Sequence, residues 1–463
     1  MCLLKWKLAE EKTGLKLINT KTTAMKKTIL SLFAFMLTAG SFAQNENKFE
    51  KIDRLLNYFY ENNKFMGSVT IREKEKVVFE KAYGFADVEN KIRATPDTKY
   101  KIGSITKMFT SSILFQLVEE KKITLDTKLS AFYPEIKNAD SISIHQLLTH
   151  QSGIYNYTDD PGFTEALKST QTKSAMLKRI AGYEPAFKPG STAQYSNSNY
   201  VLLGYIIEDI TKKSYKANIN DRITKPLGLK DTYYYSKVNS KRKEAYSYTF
   251  ENGSWQKVDE WDSSVAFAAG ALTSTPNDLT KFIKALFDGK VIKKETLAQM
   301  ITLEQGYGSG ILIFPFGERR FYGHNGGIEA FTSTLGYYPK DDLSISMIQN
   351  GNNYDSNEVM IGILSCYYKL PYTFPNLNTF DVPAEVLKSY EGLYTTTELP
   401  FKVKIVATGN TLKAIATGGQ GEFELTPVSN NEFVFNPASL SMTFTASGFI
   451  LEQGGTRTEF RKE

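Results

Sequence analysis

A nucleophile and a base stand three residues apart in Gly103-Ser104-Ile105-Thr106-Lys107. Side chains at i and i+3 are neighbours on a helix surface, so both would share the first turn of a helix begun here. Ile105, Met108, Phe109, Ile113, Leu114, Leu117 and Val118 recur at spacings of three and four. That period predicts a helix from about Ser104 to Lys121 with one face in the core. A lysine at its start opposes the positive pole of the helix dipole. Its charged form is disfavoured, its pKa falls, and neutral lysine could take the Ser104 proton. The same residues also suit a simpler role, with Ser104 as an N-cap and Lys107 solvated. Spacing does not separate the two readings, since Ser-x-x-Lys recurs at Ser240–Lys243 and Ser254–Lys257.

A Ser-Lys hydrolase also needs a second proton carrier and a site for the oxyanion. Tyr195-Ser196-Asn197 offers a phenol and an amide in a polar loop before an apolar helix. A tyrosine beside a cationic lysine has its phenolate favoured, which suits proton transfer. Capping of the core by a loop tyrosine is the plainer alternative, and Tyr60-Glu61-Asn62 repeats the spacing. Gly323-His324-Asn325-Gly326-Gly327 surrounds one histidine with small or turn-prone residues, so backbone amides could approach a ligand closely. Asn-Gly is equally a strong hairpin-turn signal. Tyr155 and Tyr157 are candidate rim residues.

Elements that could position these groups follow from periodicity. Phe49–Tyr60 reads as an amphipathic helix, and Gly67–Ile71 and Val77–Tyr83 as two strands around a turn. From the Ser104 helix to about Phe287 the pattern is mainly helices and loops: Ile144–Thr149, Ser174–Ala181, Tyr200–Thr211 and Asn277–Phe287. Strand character returns at Phe331–Tyr338 and Leu343–Gln349, before a helix from Ser356 to Tyr368. Strands at both ends of a helical insert imply one sheet built from distant segments, an α+β arrangement. Pro371, Pro375 and Pro383 mark a linker over residues 371–384. From 385 to 463 short alternating runs, several separated by Gly and Asn pairs, predict a small β-barrel or sandwich.

The chain has 463 residues and a formal charge of +6. Met25-Lys26-Lys27, an apolar run from Ile29 to Ala39 and Ser41-Phe42-Ala43 have the layout of a secretory signal, with residues 1–24 upstream of it. The apolar run is too short for a stable membrane span. Residues 1–43 hold seven lysines and two glutamates, and without them 49 basic residues face 48 acidic ones. Nothing in that balance calls for nucleic acid. Periplasmic or secreted localisation is expected. Cys366, in an apolar stretch, would be the one cysteine after cleavage and reads as a small buried hydrophobe. His145, His150 and His324 have no metal-ligand spacing, so neither a metal nor an organic cofactor is expected. Absence of a Gly-x-Ser-x-Gly elbow disfavours a Ser-His-Asp hydrolase.

Ser-x-x-Lys, Tyr-x-Asn and His-x-Gly, in this order, resemble the serine beta-lactamase and D-alanyl-D-alanine peptidase family. The branch is that of class C beta-lactamases, DD-peptidases and related esterases. Tyr100–Lys107, Leu147–Gly153, Lys188-Pro189-Gly190, Pro226–Leu229 and Leu272–Pro276 carry the likeness further, over roughly Lys48 to Leu370. The resemblance implies an antiparallel sheet flanked by helices beside an all-helical region, in a hydrolase domain spanning 44–370. It further implies that Ser104 is acylated, that Lys107 and Tyr195 share acid and base work, and that Asn197 binds a substrate amide. His324 and Gly326 complete the third motif, and the amides of Ser104 and Gly327 would form the oxyanion hole. Where lactamases of this branch usually carry lysine, this chain has His324, mostly neutral near pH 7 and a weaker anchor for a carboxylate. D-amino-acid peptides or esters are then better substrates than beta-lactams. A catalytically silent module recognising cell-wall peptides or a protein partner is the alternative.

Overall fold

The computed structural model describes residues 47–463, apart from 378–379, 410, 418–420, 436–439 and 454–455. The upstream extension and signal segment expected over residues 1–43 lie outside the described residues. Contacts divide the described residues into a unit Ile52–Leu364 and a second unit that joins the few described residues up to Lys51 with those of Ser365–Glu463.

Alternating side chains build the central sheet of the first unit. Its strands are β1 (Phe65–Glu73), β2 (Lys76–Tyr83), β3 (Tyr248–Glu251), β4 (Ser254–Lys257), β5 (Leu312–Phe316), β6 (Arg319–Ile328), β7 (Phe331–Tyr338) and β8 (Leu343–Asn352). The order β5-β6-β7-β8-β1-β2 is antiparallel, and the β3–β4 hairpin joins through one parallel bridge from Tyr248 to Gly351. Strands from opposite ends of the unit therefore lie side by side, with Val69 opposite Met347.

Helices follow from the period-3.6 runs. They include α1 (Lys48–Glu61), α2 (Thr106–Glu119), α3 (Asn197–Thr211), α4 (Ser263–Gly270), α5 (Pro276–Phe287) and α6 (Ser356–Tyr367). Thr275 caps α5 by accepting from the Asp278 N–H, and Pro276 supplies a preset φ at its first turn. Leu279, Phe282, Ile283 and Leu286 are then fully buried as α5 lies across β1, β7 and β8. α2, α3 and α4 pack on one another. At Gly204 of α3 a Cβ would stand 2.3 Å from the Ala268 Cβ, so glycine sets the approach of α4.

Two expectations need correction. The nucleophile segment opens with a 3-10 turn, Gly103–Ile105, and the α-helix proper runs Thr106–Glu119. The stretch expected to be helices and loops up to Phe287 also contains the β3–β4 hairpin and a small sheet of Tyr100–Lys101, Leu272–Ser274 and Tyr233–Tyr234. These strands are two to four residues long, too short for alternation to register.

In the second unit eight strands close into a barrel, from Gly392–Thr395 to Thr456–Lys462, which pair with each other. A core of Phe433, Phe444, Phe449, Phe460 and aliphatic neighbours fills it. The barrel, not the sandwich, is the form taken.

Candidate active site

Ser104 sits in the 3-10 turn with its side chain capping nothing. Its Oγ stands 3.0 Å from Lys107 Nζ and accepts the Tyr195 hydroxyl at 2.7 Å. Gly103 takes φ +50°, and a Cβ there would lie 2.8 Å from the Gly327 amide nitrogen. Glycine is therefore needed both for the turn and for the strand beside it.

Lys107 is wholly buried, its Nζ 4.8 Å and 5.4 Å from the ring centres of Tyr195 and Tyr200. Burial holds its pKa well below the usual lysine range, and no carboxylate offsets it. Desolvation alone accounts for the direction of this shift. Besides Ser104 the amine meets two neutral acceptors, Asn197 Oδ1 and the Ala269 carbonyl, each at 2.8 Å. A neutral amine has two N–H groups for those acceptors and keeps its lone pair for the Ser104 hydroxyl.

The expectation of a favoured Tyr195 phenolate is overturned. Burial pushes its phenol well above the normal range, with the Ser104 contact and Tyr307 as lesser influences. Tyr195 keeps its proton and donates it toward Ser104 Oγ, so the arrangement holds a base on one side of the hydroxyl and an acid on the other.

Asn197 opens α3, its N–H bonded to Asn156 Oδ1 at 2.9 Å and its Nδ2 to Thr158 Oγ1 at 3.1 Å. These bonds aim its Oδ1 at Lys107. His150 stacks on Tyr195, with ring centres 4.5 Å apart, and its Nδ1 accepts the Ser196 N–H at 3.1 Å. It holds the Tyr195 loop in place, a structural part. Tyr157 is buried, bonded to the Val265 carbonyl, and is not a rim residue.

The third motif lies inside β6 and is no hairpin turn; the chain turns at Glu329–Ala330. A Cβ on Gly326 would fall 2.1 Å from the Ile102 carbonyl and 2.9 Å from the Ser104 amide nitrogen. Glycine is required here by close approach, and the Ser333 hydroxyl bonds the same Ile102 carbonyl at 2.8 Å. A Cβ on Gly327 would meet nothing. His324 is buried, its ring centre 6.4 Å from that of Tyr195. Its Nδ1–H donates to the Asn325 carbonyl at 2.5 Å, and burial, the largest cause, lowers its pKa to about 3. The ring is neutral. All seven residues singled out in the sequence, Ser104, Lys107, Tyr195, Asn197, His324, Gly326 and Gly327, thus meet along the seam of α2, the α3 entry and β6.

Two contributors carried no motif. The Ala269 carbonyl is backbone, exposed because α4 breaks at Phe267 (φ +38°) and ends at Gly270. Lys101, three residues before Ser104, is buried against Glu329 (2.6 Å) and Glu260 (3.1 Å), while Glu329 also accepts the Trp261 N–H. A charge inside apolar Tyr100–Ile102 was its one sequence signal. Among the described residues no group of His, Cys, Asp or Glu could hold a metal ion.

Known proteins are similar to this chain in sequence and fold. The Beta-lactamase family profile matches residues 55–362. Teichoic acid D-alanine hydrolase of Staphylococcus aureus is 30% identical over 66% of this chain and 75% of its own length. The D-amino acid amidase of Ochrobactrum anthropi SV3 is 27% identical, covering 69% of this chain and 98% of its own, with a TM-score of 0.60. An octameric penicillin-binding protein homologue from Pyrococcus abyssi is 25% identical and covers 89% of this chain and 99% of its own, with a TM-score of 0.65. The chain belongs to the beta-lactamase family of serine hydrolases.

Proposed function

We propose that this protein is an exported hydrolase that cleaves D-aminoacyl esters or amides through an acyl-enzyme on Ser104. One observation carries the reading: Ser104 Oγ is held between the buried amine of Lys107 at 3.0 Å and the phenol of Tyr195 at 2.7 Å. Lys107 takes the Ser104 proton as Oγ bonds to the substrate carbonyl carbon. Negative charge on the carbonyl oxygen faces the Ser104 and Gly327 amides. On collapse the bond to the leaving group breaks, and Tyr195 supplies that group's proton. Lys107 returns its proton to Tyr195, and water then cleaves the ester with the same pair in reversed roles.

The acyl class is supported by the substrates in the names of the S. aureus and O. anthropi relatives. His324 supports it too, since a neutral ring offers no cation to the carboxylate that penicillins and D-alanine-terminated peptides carry. Export rests on the Met25–Ala43 segment.

Intact mass and turnover of the chain from Gln44 onward would test this, with a D-alanine ester, a D-amino acid amide and a penicillin as challenges. A covalent adduct, absent in Ser104→Ala, and turnover lost in Lys107→Arg, whose guanidinium stays charged, are expected. Esters should outrun the penicillin. A folded protein giving neither adduct nor turnover would turn the reading toward a recognition module.

A further inference from the structure

The Cβ position of Gly326 points at the Ile102 carbonyl and the Ser104 amide, so Phe321 and Asn325 of the same strand face the other side of the sheet. Thr332, Thr334, Gly336 and Ile345 stand on that far side by their pairing. α6 covers it without closing on it: a cavity of about 290 Å³ separates helix from sheet. Ser356, Met360 and Leu364, four apart, give it one helical face, a run of roughly 12 Å. Thr332 to Gly336 covers a similar length on β7. Volume over length leaves a section of roughly 25 Å², the girth of a single hydrocarbon chain. About ten carbons, joined in a zigzag by bonds of roughly 1.5 Å, would span it.

The two ends differ in chemistry. At one, Phe321, Ile345 and Leu364 are buried and Gly336 adds no side chain. At the other stand Thr332, Ser356, Asn325, Asn357 and Asp355, the last three exposed, so this end is the mouth. Thr332 Oγ1 and Ser356 Oγ lie 3.3 Å apart, which fixes the first turn of α6 on β7 there. Thr332 also donates to Gln349 Oε1 at 3.1 Å, and the buried Nε2 of that amide has no hydrogen-bond partner among the described residues. Polar capacity is thus left over at this end. Among the described residues no Lys, Arg or His lines the cavity. Its one carboxylate, Asp355, accepts the Asn357 and Glu358 N–H groups, so the anion-binding end of α6 is already taken. A second carboxylate would be repelled there, and an ammonium would find its one partner engaged.

We propose that this slot binds a single alkyl chain of about ten carbons, tail toward Leu364 and Ile345, with an uncharged hydroxyl or ester head at the Thr332 mouth. Apolar cavities stay dry and take apolar ligands, while a few polar groups at one end fix orientation. The site is separate from the one at Ser104: its occupant would abut Gly326 from behind, across the strand. It does not rest on the acyl-enzyme reading.

Calorimetric titration of the chain from Gln44 onward with 1-hexanol, 1-octanol, 1-decanol and 1-dodecanol tests this, with 1-decanoylglycerol and decanoate as head-group arms. Affinity should rise about fourfold per added methylene up to decanol and level off at dodecanol. Decanoate should bind about tenfold more weakly than decanol. Tighter binding of the glyceride than of the alcohol would name a glycerol ester as the occupant, and the reverse a free alcohol. A Cβ on Gly336 would lie 3.4 Å from Phe321 and 3.7 Å from Ile345, ordinary contacts, so the methyls of Gly336→Val would fill the tail end. That variant should weaken decanol about tenfold or more. Ile361→Trp, at a half-buried position of the wall, keeps the test open if the strand variant fails to fold. Ser104→Ala should bind decanol as the wild type does. No binding of any alcohol, affinity indifferent to chain length, decanoate equal to decanol, or binding untouched by both obstructing variants would each overturn the slot. Loss of decanol binding in Ser104→Ala would place the chain at the nucleophile and overturn it too.

Discussion

His324 is 2% exposed, and its folded-state pKa is about 3 against an unfolded value near 6.5. Below about pH 6.5 the unfolded chain gains a proton that the folded one refuses, so stability present above that pH is lost as pH falls toward 3. At pH 5 the loss from His324 should be about 2 kcal/mol. His150, also buried and also lowered, steepens the slope. Urea unfolding at pH 7 and pH 5 checks this: His324→Asn should shrink the difference by about that amount, and an unchanged difference would count against a neutral buried ring. The serine, lysine, tyrosine and histidine were legible as residue types and spacings. The lowered pKa of Lys107 and the neutral ring of His324 were legible too; the shift of Tyr195 was not, because it follows from burial by partners distant in sequence. Burial among Tyr195, Tyr200 and the helices around it lowers the Lys107 pKa, in the expected direction, while burial raises that of Tyr195, the reverse of the local expectation.

At the scale of elements, the approach of β6 to the nucleophile turn decides whether the parts meet. Gly326→Ala would place a methyl 2.1 Å from the Ile102 carbonyl, which only a shift of strand or turn could relieve. Overpacking of this kind costs about 1–3 kcal/mol, and a displacement near 1 Å costs about a hundredfold in rate. Gly327→Ala meets no atom within 4 Å and should leave stability within about 0.5 kcal/mol. Thermal melts of the two variants, with turnover of a D-alanine ester by Gly326→Ala, check the contrast; equal stabilities would mean that the close approach is not what requires Gly326. This strand was also the element least visible in the sequence. Gly323, Asn325, Gly326 and Gly327 have low strand propensity, and Asn-Gly mimics a turn. By contrast, Phe331–Tyr338 appeared with its true ends because both its faces carry β-favouring residues.

Across the whole molecule, the α+β unit and the barrel each have a buried apolar core, and the two cores share no residue. Seven of the eight barrel strands were legible as alternation. The eighth, Gly392–Thr395, is only four residues long, and besides pairing with Val403–Ile405 it closes the barrel against Arg461 and Lys462, a closure that no local pattern encodes. The barrel core centres on Phe444, 2% exposed, stacked on Tyr390 at 4.2 Å and flanked by Phe433 and Phe449, each 5.5 Å away. Phe444→Ala removes the ring on which these three converge and should cost the barrel about 3–5 kcal/mol. Tyr390, Phe433 and Phe449 all belong to the barrel unit. Heating should therefore bring forward the unfolding transition of the barrel while the transition of the hydrolase unit stays in place. At 25 °C the rate at which an activated ester labels Ser104 should match the wild type within twofold to threefold, about 0.5 kcal/mol. A labelling rate that falls with barrel stability would mean that the catalytic geometry depends on the barrel, and that the two units are one in their energetics.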